Sequence, residues 1–373
     1  MKIVELETIL IKNIDPIGGH YWLFVKLITD EGIIGLGECT HGQEGREATK
    51  VQILKDMAKR FVIGKDPFMI EALWQDVYTR DHDYRHPGLL TTSALSAIEM
   101  ACWDIVGKAL DQPIYNLLGG RLHDKLTAYS YMSHEGIWEN PELAGERALE
   151  RLEKGHKVVK LDPFQAMLPA PRPLFLKEID KAVTIFRAIR NEVGNDLEIA
   201  IGTHGQLTTA GAIRAASALE EFSPFWFEEP VSLENVSEMA HLAAHTSIPI
   251  ATGERRLTKY EFVDILRQQA AQIIQADVGH CGGILEAKKI AGMAEAHYAH
   301  FAPHMWCGPI GVAAGIQVSA SCPNFLVLEF NTNSLHSKIL KTPIRFEKGF
   351  IIPPAGPGLG VELNEEVVKE HSV

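Results

Sequence analysis

Five acidic or histidine residues recur along the second half of the chain at intervals of 23 to 27 residues. Each closes a short apolar run, and together they are Glu228, Glu254, Asp277, His304 and Glu329. Carboxylates at neighbouring positions can hold a hard cation, because such cations prefer oxygen ligands. A histidine beside a carboxylate suits proton transfer, because the carboxylate fixes the imidazole tautomer and raises its basicity. These residue types indicate a site for cation binding and acid–base chemistry.

The interval between these residues predicts the architecture that brings them together. One strand, one helix and two loops use about 25 residues in an eightfold β/α barrel. A parallel strand buried on both faces reads as a continuous apolar run, so a charged residue at its end lies at the barrel mouth, where active sites are built. The 373-residue chain is long enough for a barrel of roughly 250 residues and about a hundred more.

The first third of the chain has a different pattern. Alternating segments at 2–10 and 22–28 predict antiparallel strands, with a hairpin turn at 30–32. Helical periodicity follows at 46–62 and 93–110, and the C-terminal segment reads as extended structure and turns. We therefore expect an α+β domain over 1–120, a barrel over 121–330, and a segment over 331–373 that returns to the first domain.

The first barrel strands are expected at 125–133 and 156–162. A proline-rich loop over 163–175 shows no periodicity, so we interpret it as an insertion at the catalytic face. A helix at 177–193 and a strand at 197–204 follow, after which the regular interval begins.

Composition limits the partners and the compartment. The formal net charge of −12 argues against a nucleic-acid partner, which normally requires a basic surface. Five cysteines without CxxC spacing indicate reduced, mostly buried thiols. The N-terminal residues alternate like a strand rather than forming a signal peptide, and no apolar run reaches the length of a membrane span. We expect a cytoplasmic protein with no nucleic-acid or membrane partner.

Six short motifs occur in a fixed order along the barrel: KLD at 160–162, FEEP at 227–230, TGE at 252–254, QAD followed by CGG at 275–283, APH at 302–304 and LEF at 328–330. In this order they resemble the mandelate racemase subgroup of the enolase superfamily. Residues 93–120 are similar to the helix that joins that family's capping domain to its barrel, so the similarity runs essentially end to end.

The resemblance implies an α/β fold with an α+β capping domain over a (β/α)7β barrel, and a homo-oligomer, because barrels of this family generally associate. It also implies a magnesium ion and chemistry that begins by removing the proton alpha to a carboxylate. The resulting enediolate carries extra negative charge, so the site must supply concentrated positive charge. We expect Glu228 and Glu254 to hold Mg²⁺, with Glu229 behind them or as an alternate ligand.

The third ligand departs from the family pattern, because Gly202 stands where an aspartate is usual. Asp162 ends the adjacent strand and points to the same side as Lys160, since side chains alternate along a strand. We favour Asp162 as the replacement ligand. The alternatives are His204, although imidazole suits magnesium less well than oxygen, and a metal site that is weakened or lost.

By the same resemblance, His304 is the general base and Asp277 orients it. Lys160 lies on the opposite face of the substrate, where it acts either as a second acid/base or only as a partner of the substrate carboxylate. Asp162 replaces the second lysine of the family's KxK pattern, which weakens a two-base racemase interpretation.

His204 bears on the type of reaction. In acid-sugar dehydratases of the subgroup, a histidine at this position protonates the departing 3-hydroxyl; the alternative is an ordinary polar residue at a helix entry. Glu329 either donates a hydrogen bond to the enediolate or pairs with a cation. Arg255 is either a cation for the ligand or the partner of Glu229.

Two loops of the capping domain are rich in hydrogen-bond donors and aromatic rings, which suit a polyhydroxylated acid, although either loop also fits an ordinary exposed segment. The substrate-binding candidates are His20, Tyr21, Trp22, Tyr84, Arg85 and Arg255.

The predicted activity is removal of the α-proton from an aldonic or aldaric acid and loss of the β-hydroxyl, leaving a 2-keto-3-deoxy acid. The alternatives are an epimerase, racemase or cycloisomerase, and a non-catalytic binder of sugar acids.

Overall fold

A three-stranded antiparallel sheet opens the chain in the computed structural model, which describes residues 1–15, 17–40, 46–79, 88–132 and 136–373. The strands are β1 (Ile3–Lys12), β2 (Tyr21–Thr29) and β3 (Ile34–Cys39), and they pair in that order. The predicted hairpin turn lies between β2 and β3, where Gly32 has a φ of 79°. Such a positive φ favours glycine, because other residues meet steric clashes there.

Helices cover this sheet. They are α1 (Glu47–Met57), which continues as a π-helical turn (Ala58–Val62), then α2 (Ile70–Thr79), α3 (Leu89–Ala109) and α4 (Ile114–Leu117). Helix α3 begins at residue 89, four residues before the predicted start, because the apolar segment preceding residue 93 continues the helix. It packs closely on β3, where a side chain at Gly35 or Gly37 would overlap the α3 backbone.

Eight parallel strands alternate with seven helices in the described part of the barrel. The strands are β4 (Leu126–Tyr131), β5 (Val158–Leu161), β6 (Glu198–Ile201), β7 (Trp226–Glu228), β8 (Ile250–Thr252), β9 (Ile273–Ile274), β10 (His300–Phe301) and β11 (Leu328–Glu329). The helices between them are α5 (Glu142–Glu153), α6 (Leu176–Val193), α7 (Thr209–Leu219), α8 (Val236–Ala243), α9 (Thr258–Arg267), α10 (Ile284–Ala296) and α11 (Pro309–Ala320). This confirms the predicted (β/α)7β architecture.

The strands form a ring. β4 to β10 pair in sequence order, and β11 pairs with β4 in parallel. Between β10 and β11 the backbone of Phe301 accepts from Leu326 and donates to Asn324, both at 2.9 Å. All eight strands therefore end at the same side, where their terminal side chains meet.

The C-terminal segment contains more regular structure than the sequence indicates. Its elements are α12 (Ser334–Lys338), β12 (Arg345–Glu347), β13 (Phe350–Ile352) and α13 (Glu365–His371). β13 pairs antiparallel with β4, and the backbone of Val373 donates to Leu10 of β1 at 3.0 Å. The exact boundaries of the three parts stay a prediction.

Helix α3 is the one described helix long and apolar enough to match a membrane span by length and composition. Its most apolar window is 78% buried inside the fold, which is typical of a core helix. The five cysteines are free and buried.

Candidate active site

Lys160 and Glu228 form a buried ion pair at the strand ends. Lys160 Nζ donates to Glu228 Oε1 at 2.6 Å. The second oxygen of Glu228 accepts from the Trp226 indole at 3.0 Å and from the Gln275 amide at 2.8 Å. Burial opposes the charge on Lys160, but attraction to Glu228 and neighbouring carboxylates outweighs it and holds the pKa of Lys160 well above its usual value. Lys160 therefore remains positively charged.

Asp162 lies immediately after β5, beside Gly202, which follows the neighbouring strand β6. A side chain at Gly202 would overlap Asp162 Oδ1, so the glycine leaves the space that this carboxylate uses. Asp162 Oδ2 accepts from the Tyr131 hydroxyl at 3.1 Å and pairs with His204 Nδ1 at 3.0 Å. Asp162 Oδ1 is buried without a hydrogen-bond partner among the described residues, which leaves it available to a ligand.

His204 is held by this contact and is half-exposed, with 53% of its side chain accessible. Its φ of 53° is uncommon for a non-glycine residue, a feature often found at functional sites. The hydrogen bond to Asp162 raises the pKa of His204 to about 9, although burial opposes this. Burial would raise the pKa of Asp162, but the His204 contact outweighs it and keeps that pKa below its usual value. The pair with Asp162 therefore favours the protonated form of His204 at neutral pH.

His304 and Asp277 form the second histidine–carboxylate pair. His304 Nδ1 lies 2.7 Å from Asp277 Oδ2, and both residues are buried. The other nitrogen, Nε2, lies 3.8 Å from Glu254 Oε2 and 3.9 Å from Glu329 Oε2. Burial opposes protonation of His304, but these carboxylates outweigh it and raise its pKa to about 10. Nε2 therefore points into the acidic mouth of the barrel.

Glu254 has a lowered pKa of about 2, because the positive charges of His304 and Lys160 outweigh the effect of burial. Glu329 is fixed by the Met305 backbone N–H at 2.9 Å and the Asn331 amide at 3.1 Å. Both carboxylates lie beside His304, and Glu329 is held there by hydrogen bonds.

Glu229 is completely buried and is paired with Arg255, whose Nε and Nη2 lie 3.0 and 2.7 Å from Glu229 Oε2. Of the two roles predicted for Arg255, the structure supports the ion pair. Burial and repulsion from Glu254 raise the pKa of Glu229 to about 7, although Arg255 opposes this. Its second oxygen, Oε1, has no hydrogen-bond partner among the described residues.

The donor set fits a hard divalent cation. Carboxylates outnumber basic groups around the mouth: Asp162, Glu228, Glu229, Glu254, Asp277 and Glu329 against Lys160, His204, Arg255 and His304. Oxygen ligands and excess negative charge are what magnesium requires. Within the described ranges, no three such side chains already converge closely enough to enclose an ion. Both Glu228 oxygens are hydrogen bonded, so a metal would compete with Lys160 for this carboxylate.

The structure brings the predicted catalytic and metal-binding residues together at the strand ends, whereas Trp22 lies in a different environment. Its indole N–H donates to the Gly18 carbonyl at 3.1 Å and its ring packs against His336, with 4.4 Å between ring centres. Trp22 is therefore a packing residue rather than a substrate contact, which corrects the prediction. His20 is exposed and Tyr21 half-buried at the start of β2. The predicted contacts Tyr84 and Arg85 lie outside the described residues.

Three polar contacts of the site were missed by the sequence patterns. Tyr131 at the end of β4 donates to Asp162, while Trp226 and Gln275 donate to Glu228. Each of the three residues lies at or near a strand end, at a position whose side chain faces the barrel interior. The alternation that located Lys160 and Asp162 would therefore have indicated them.

The fold and the site define a barrel protein with a cluster of carboxylates, two histidines and a lysine at the strand ends. Two family models match the chain: the mandelate racemase/muconate lactonizing enzyme N-terminal domain over residues 16–119, and the enolase C-terminal domain-like family over 144–367. The chain belongs to the mandelate racemase/muconate lactonizing enzyme family of the enolase superfamily.

Similar proteins span the whole chain. A D-galactonate dehydratase from Variovorax paradoxus (strain S110) is 36% identical over 382 residues, covering 100% of this chain and 94% of that protein. A D-galactonate dehydratase from Ralstonia pickettii (strain 12J) is 37% identical over 380 residues, with the same two coverages. A solved mandelate racemase/muconate lactonizing enzyme from a Sulfitobacter species is 40% identical with a TM-score of 0.95, covering 100% of this chain and 95% of that one.

Proposed function

We propose that the protein is a magnesium-dependent dehydratase of acid sugars. It removes the α-proton of a hydroxylated carboxylate and expels the β-hydroxyl, leaving a 2-keto-3-deoxy acid. The observation that carries this is the His304–Asp277 contact of 2.7 Å, with the second nitrogen of His304 directed at the barrel mouth. The D-galactonate dehydratases that resemble the chain over its whole length support the substrate class.

Glu228, Glu254 and Asp162 are the residues proposed to hold Mg²⁺. Asp162 contributes the buried oxygen Oδ1, which has no hydrogen-bond partner in the described ranges, in the space above Gly202. When bound, the ion would offset negative charge on the substrate carboxylate and on Glu254, whose attraction otherwise favours the protonated form of His304. Glu229 remains behind these ligands in its ion pair with Arg255.

His304 acts as the general base through Nε2. Asp277 accepts from Nδ1, which fixes the tautomer and orients the ring toward the substrate α-carbon. Lys160 binds the substrate carboxylate with its ammonium group, and its raised pKa favours this role over that of a second base. Glu329 beside His304 donates a hydrogen bond to the oxygen on which negative charge develops.

His204 acts as the general acid for the departing hydroxyl. Its hydrogen bond to Asp162 favours the protonated form, and its half-exposed position lets the proton be replaced from solvent. Loss of water requires a proton on the leaving oxygen, whereas epimerisation requires none there. The His204–Asp162 pair therefore favours dehydration over racemisation or epimerisation.

A screen of aldonic and aldaric acids, with D-galactonate among them, tests this function in the presence of magnesium. Formation of a 2-keto-3-deoxy acid by the wild type, and its loss in His304→Gln, is expected. Solvent deuterium at the α-carbon without a keto acid would instead identify an epimerase or racemase. Binding of an acid sugar without either reaction would identify a non-catalytic binder.

We propose further that the protein acts in the cytoplasm as a homo-oligomer, consistent with its free buried cysteines and its family. Sedimentation of the purified protein tests the assembly.

His20, Tyr21, Tyr84 and Arg85 stay proposed substrate contacts, and their alanine variants should raise KM more than they lower kcat.

A further inference from the structure

The helix that follows His304 is capped by a residue of the other domain. Helix α11 begins after Gly308, which has no side chain to accept from the unpaired N–H groups of the first turn. Glu38 from β3 accepts them instead: Oε1 from the Gly308 N–H at 2.5 Å and Oε2 from the Gly311 N–H at 2.8 Å. Glu38 is almost completely buried, so these bonds lie away from solvent.

This cap lies only four residues from the proposed base. Between them, the Met305 N–H donates to Glu329 and the Cys307 carbonyl contacts His336 Nε2 at 3.0 Å. The segment from His304 to Gly308 is thus held at several points, and movement of the first turn of α11 would change the direction of the His304 ring.

Thr40, two residues beyond Glu38, contacts the loop that carries Asp277. Gly279 lies against it so closely that a side chain there would overlap Thr40. The Gly279 N–H in turn donates to Asp277 Oδ1 at 2.7 Å. Thr40 Oγ1 also lies 3.3 Å from His280 Nδ1. The end of one strand in the first domain therefore contacts the loops of both partners in the His304–Asp277 pair.

We propose that Glu38 and Thr40 are positioning residues for the His304–Asp277 pair. The base is correctly oriented only when the end of β3 is docked on the barrel. This proposal rests on the proposed function for the role of His304, but the geometry of the pair can be measured without a substrate. Neither residue contacts reacting atoms, so both act through the loops that they hold.

Asp104 provides a matched control. It is a fully buried carboxylate in the first domain that accepts from the backbone N–H groups of Leu36 and Leu359, each at 2.9 Å. Leu36 lies on β3. Leu359 lies in the C-terminal segment, and its carbonyl accepts from Gln317 near the C-terminal end of α11 at 3.1 Å, away from the first turn that Glu38 caps. Asp104→Asn weakens the same type of backbone hydrogen bond as Glu38→Gln, together with an ion pair to Lys108 at 2.6 Å, and Asp104 contacts neither His304 nor Asp277.

The first readout is the low-field proton NMR signal of the His304 Nδ1–H that is shared with Asp277. Its assignment follows from its loss in Asp277→Asn. We expect Glu38→Gln and Thr40→Val to shift or remove this signal, while Asp104→Asn retains it at the wild-type position. Thr40→Val preserves side-chain shape, so it decides the question if Glu38→Gln does not fold.

The second readout is turnover of the acid sugar that the wild type dehydrates best. In Glu38→Gln, kcat should fall by about tenfold or more, because small misplacement of a catalytic group is costly, with KM changed by less than about threefold. Asp104→Asn should retain kcat within about twofold. An unshifted NMR signal and unchanged kcat in both Glu38→Gln and Thr40→Val would overturn the proposal. If no acid sugar is turned over, the proposed function fails while the NMR signal still decides the positioning role.

Discussion

At the residue scale, the site is built from two histidine–carboxylate pairs with the same arrangement. In each pair, Nδ1 contacts an aspartate, at 2.7 Å for His304–Asp277 and 3.0 Å for His204–Asp162. Under the proposed function, Nε2 is therefore the reactive nitrogen in both rings. The two pairs differ in exposure, because His304 is buried while His204 is half-exposed. This difference suits a base shielded from water and an acid that exchanges its proton with solvent.

Removing the acid should separate the two halves of the reaction. In His204→Asn, formation of the keto acid should fall by about 10²-fold or more, because general acid catalysis contributes about that much. Removal of the α-proton should continue, since His304 is unaffected. His241→Asn, which changes an exposed histidine on α8, is the control and should leave the rate of keto acid formation unchanged.

Asp162 should be required for metal binding. Asp162→Asn should weaken magnesium affinity, measured by titration calorimetry, by about tenfold or more. Gly202→Ala should do the same, because the added methyl group overlaps Asp162 Oδ1. His204→Asn should retain affinity if Asp162 is the ligand. Unchanged affinity in Asp162→Asn, together with a loss in His204→Asn, would assign the metal to His204 instead.

At the element scale, the close packing of α3 on β3 holds the first domain together. Gly37 lies directly against the α3 backbone at Ala97, without space for a side chain. Gly292 in α10 is exposed, and no atom lies near the position of an added methyl group. The same substitution should therefore have opposite effects at these two glycines.

Gly37→Ala should lower the melting temperature, because the strand and the helix must separate to admit the methyl group. Gly292→Ala should raise the free energy of unfolding by about 0.5–1 kcal/mol, because alanine favours an exposed helix interior. Differential scanning calorimetry of both variants measures this. Equal effects of the two substitutions would contradict the packing described for β3 and α3.

Glu38 should make stability depend on pH. Burial raises the pKa of Glu38 to about 7, from an ordinary value of 4.5, although backbone N–H groups oppose this. Between pH 4.5 and pH 7, the folded protein thus retains a proton that the unfolded chain loses. The contribution of Glu38 to the free energy of unfolding is therefore greatest below pH 4.5 and falls as the pH rises to 7. The loss is on the order of 3 kcal/mol.

Glu38→Gln removes this titration. Between pH 5 and pH 7.5, the melting temperature of the wild type should therefore fall more than that of the variant. Parallel changes in the two proteins would show that Glu38 is already ionised across this range.

At the scale of the whole molecule, the strand ends were the most predictable feature. Glu228, Glu254, His304 and Glu329 were located from spacing alone, because buried parallel strands leave charged residues only at their ends. The closure of the ring through Phe301 and Phe325 is harder to predict from the sequence, since β10 and β11 are each only two residues long. Periodicity detects long elements better than short ones.

Contacts between distant parts of the chain could not be predicted from these patterns. Glu38 lies in an alternating strand, and only the docking of β3 on α11 shows that its carboxylate caps a barrel helix. Trp22 belongs to a segment with the composition of a binding loop, yet its ring packs against His336 of the C-terminal segment. Such roles depend on tertiary contacts, whereas the roles of strand-end residues follow from local pattern and topology.

The most direct measurement of the central claim is deuterium incorporation at the α-carbon of acid sugars in heavy water. His204→Asn is the appropriate background, because it should remove the α-proton without completing the loss of water. With magnesium present, this variant should exchange the α-proton of at least one aldonic or aldaric acid, and His204→Asn/His304→Gln should not. Equal exchange in the two variants would contradict the assignment of His304 as the base.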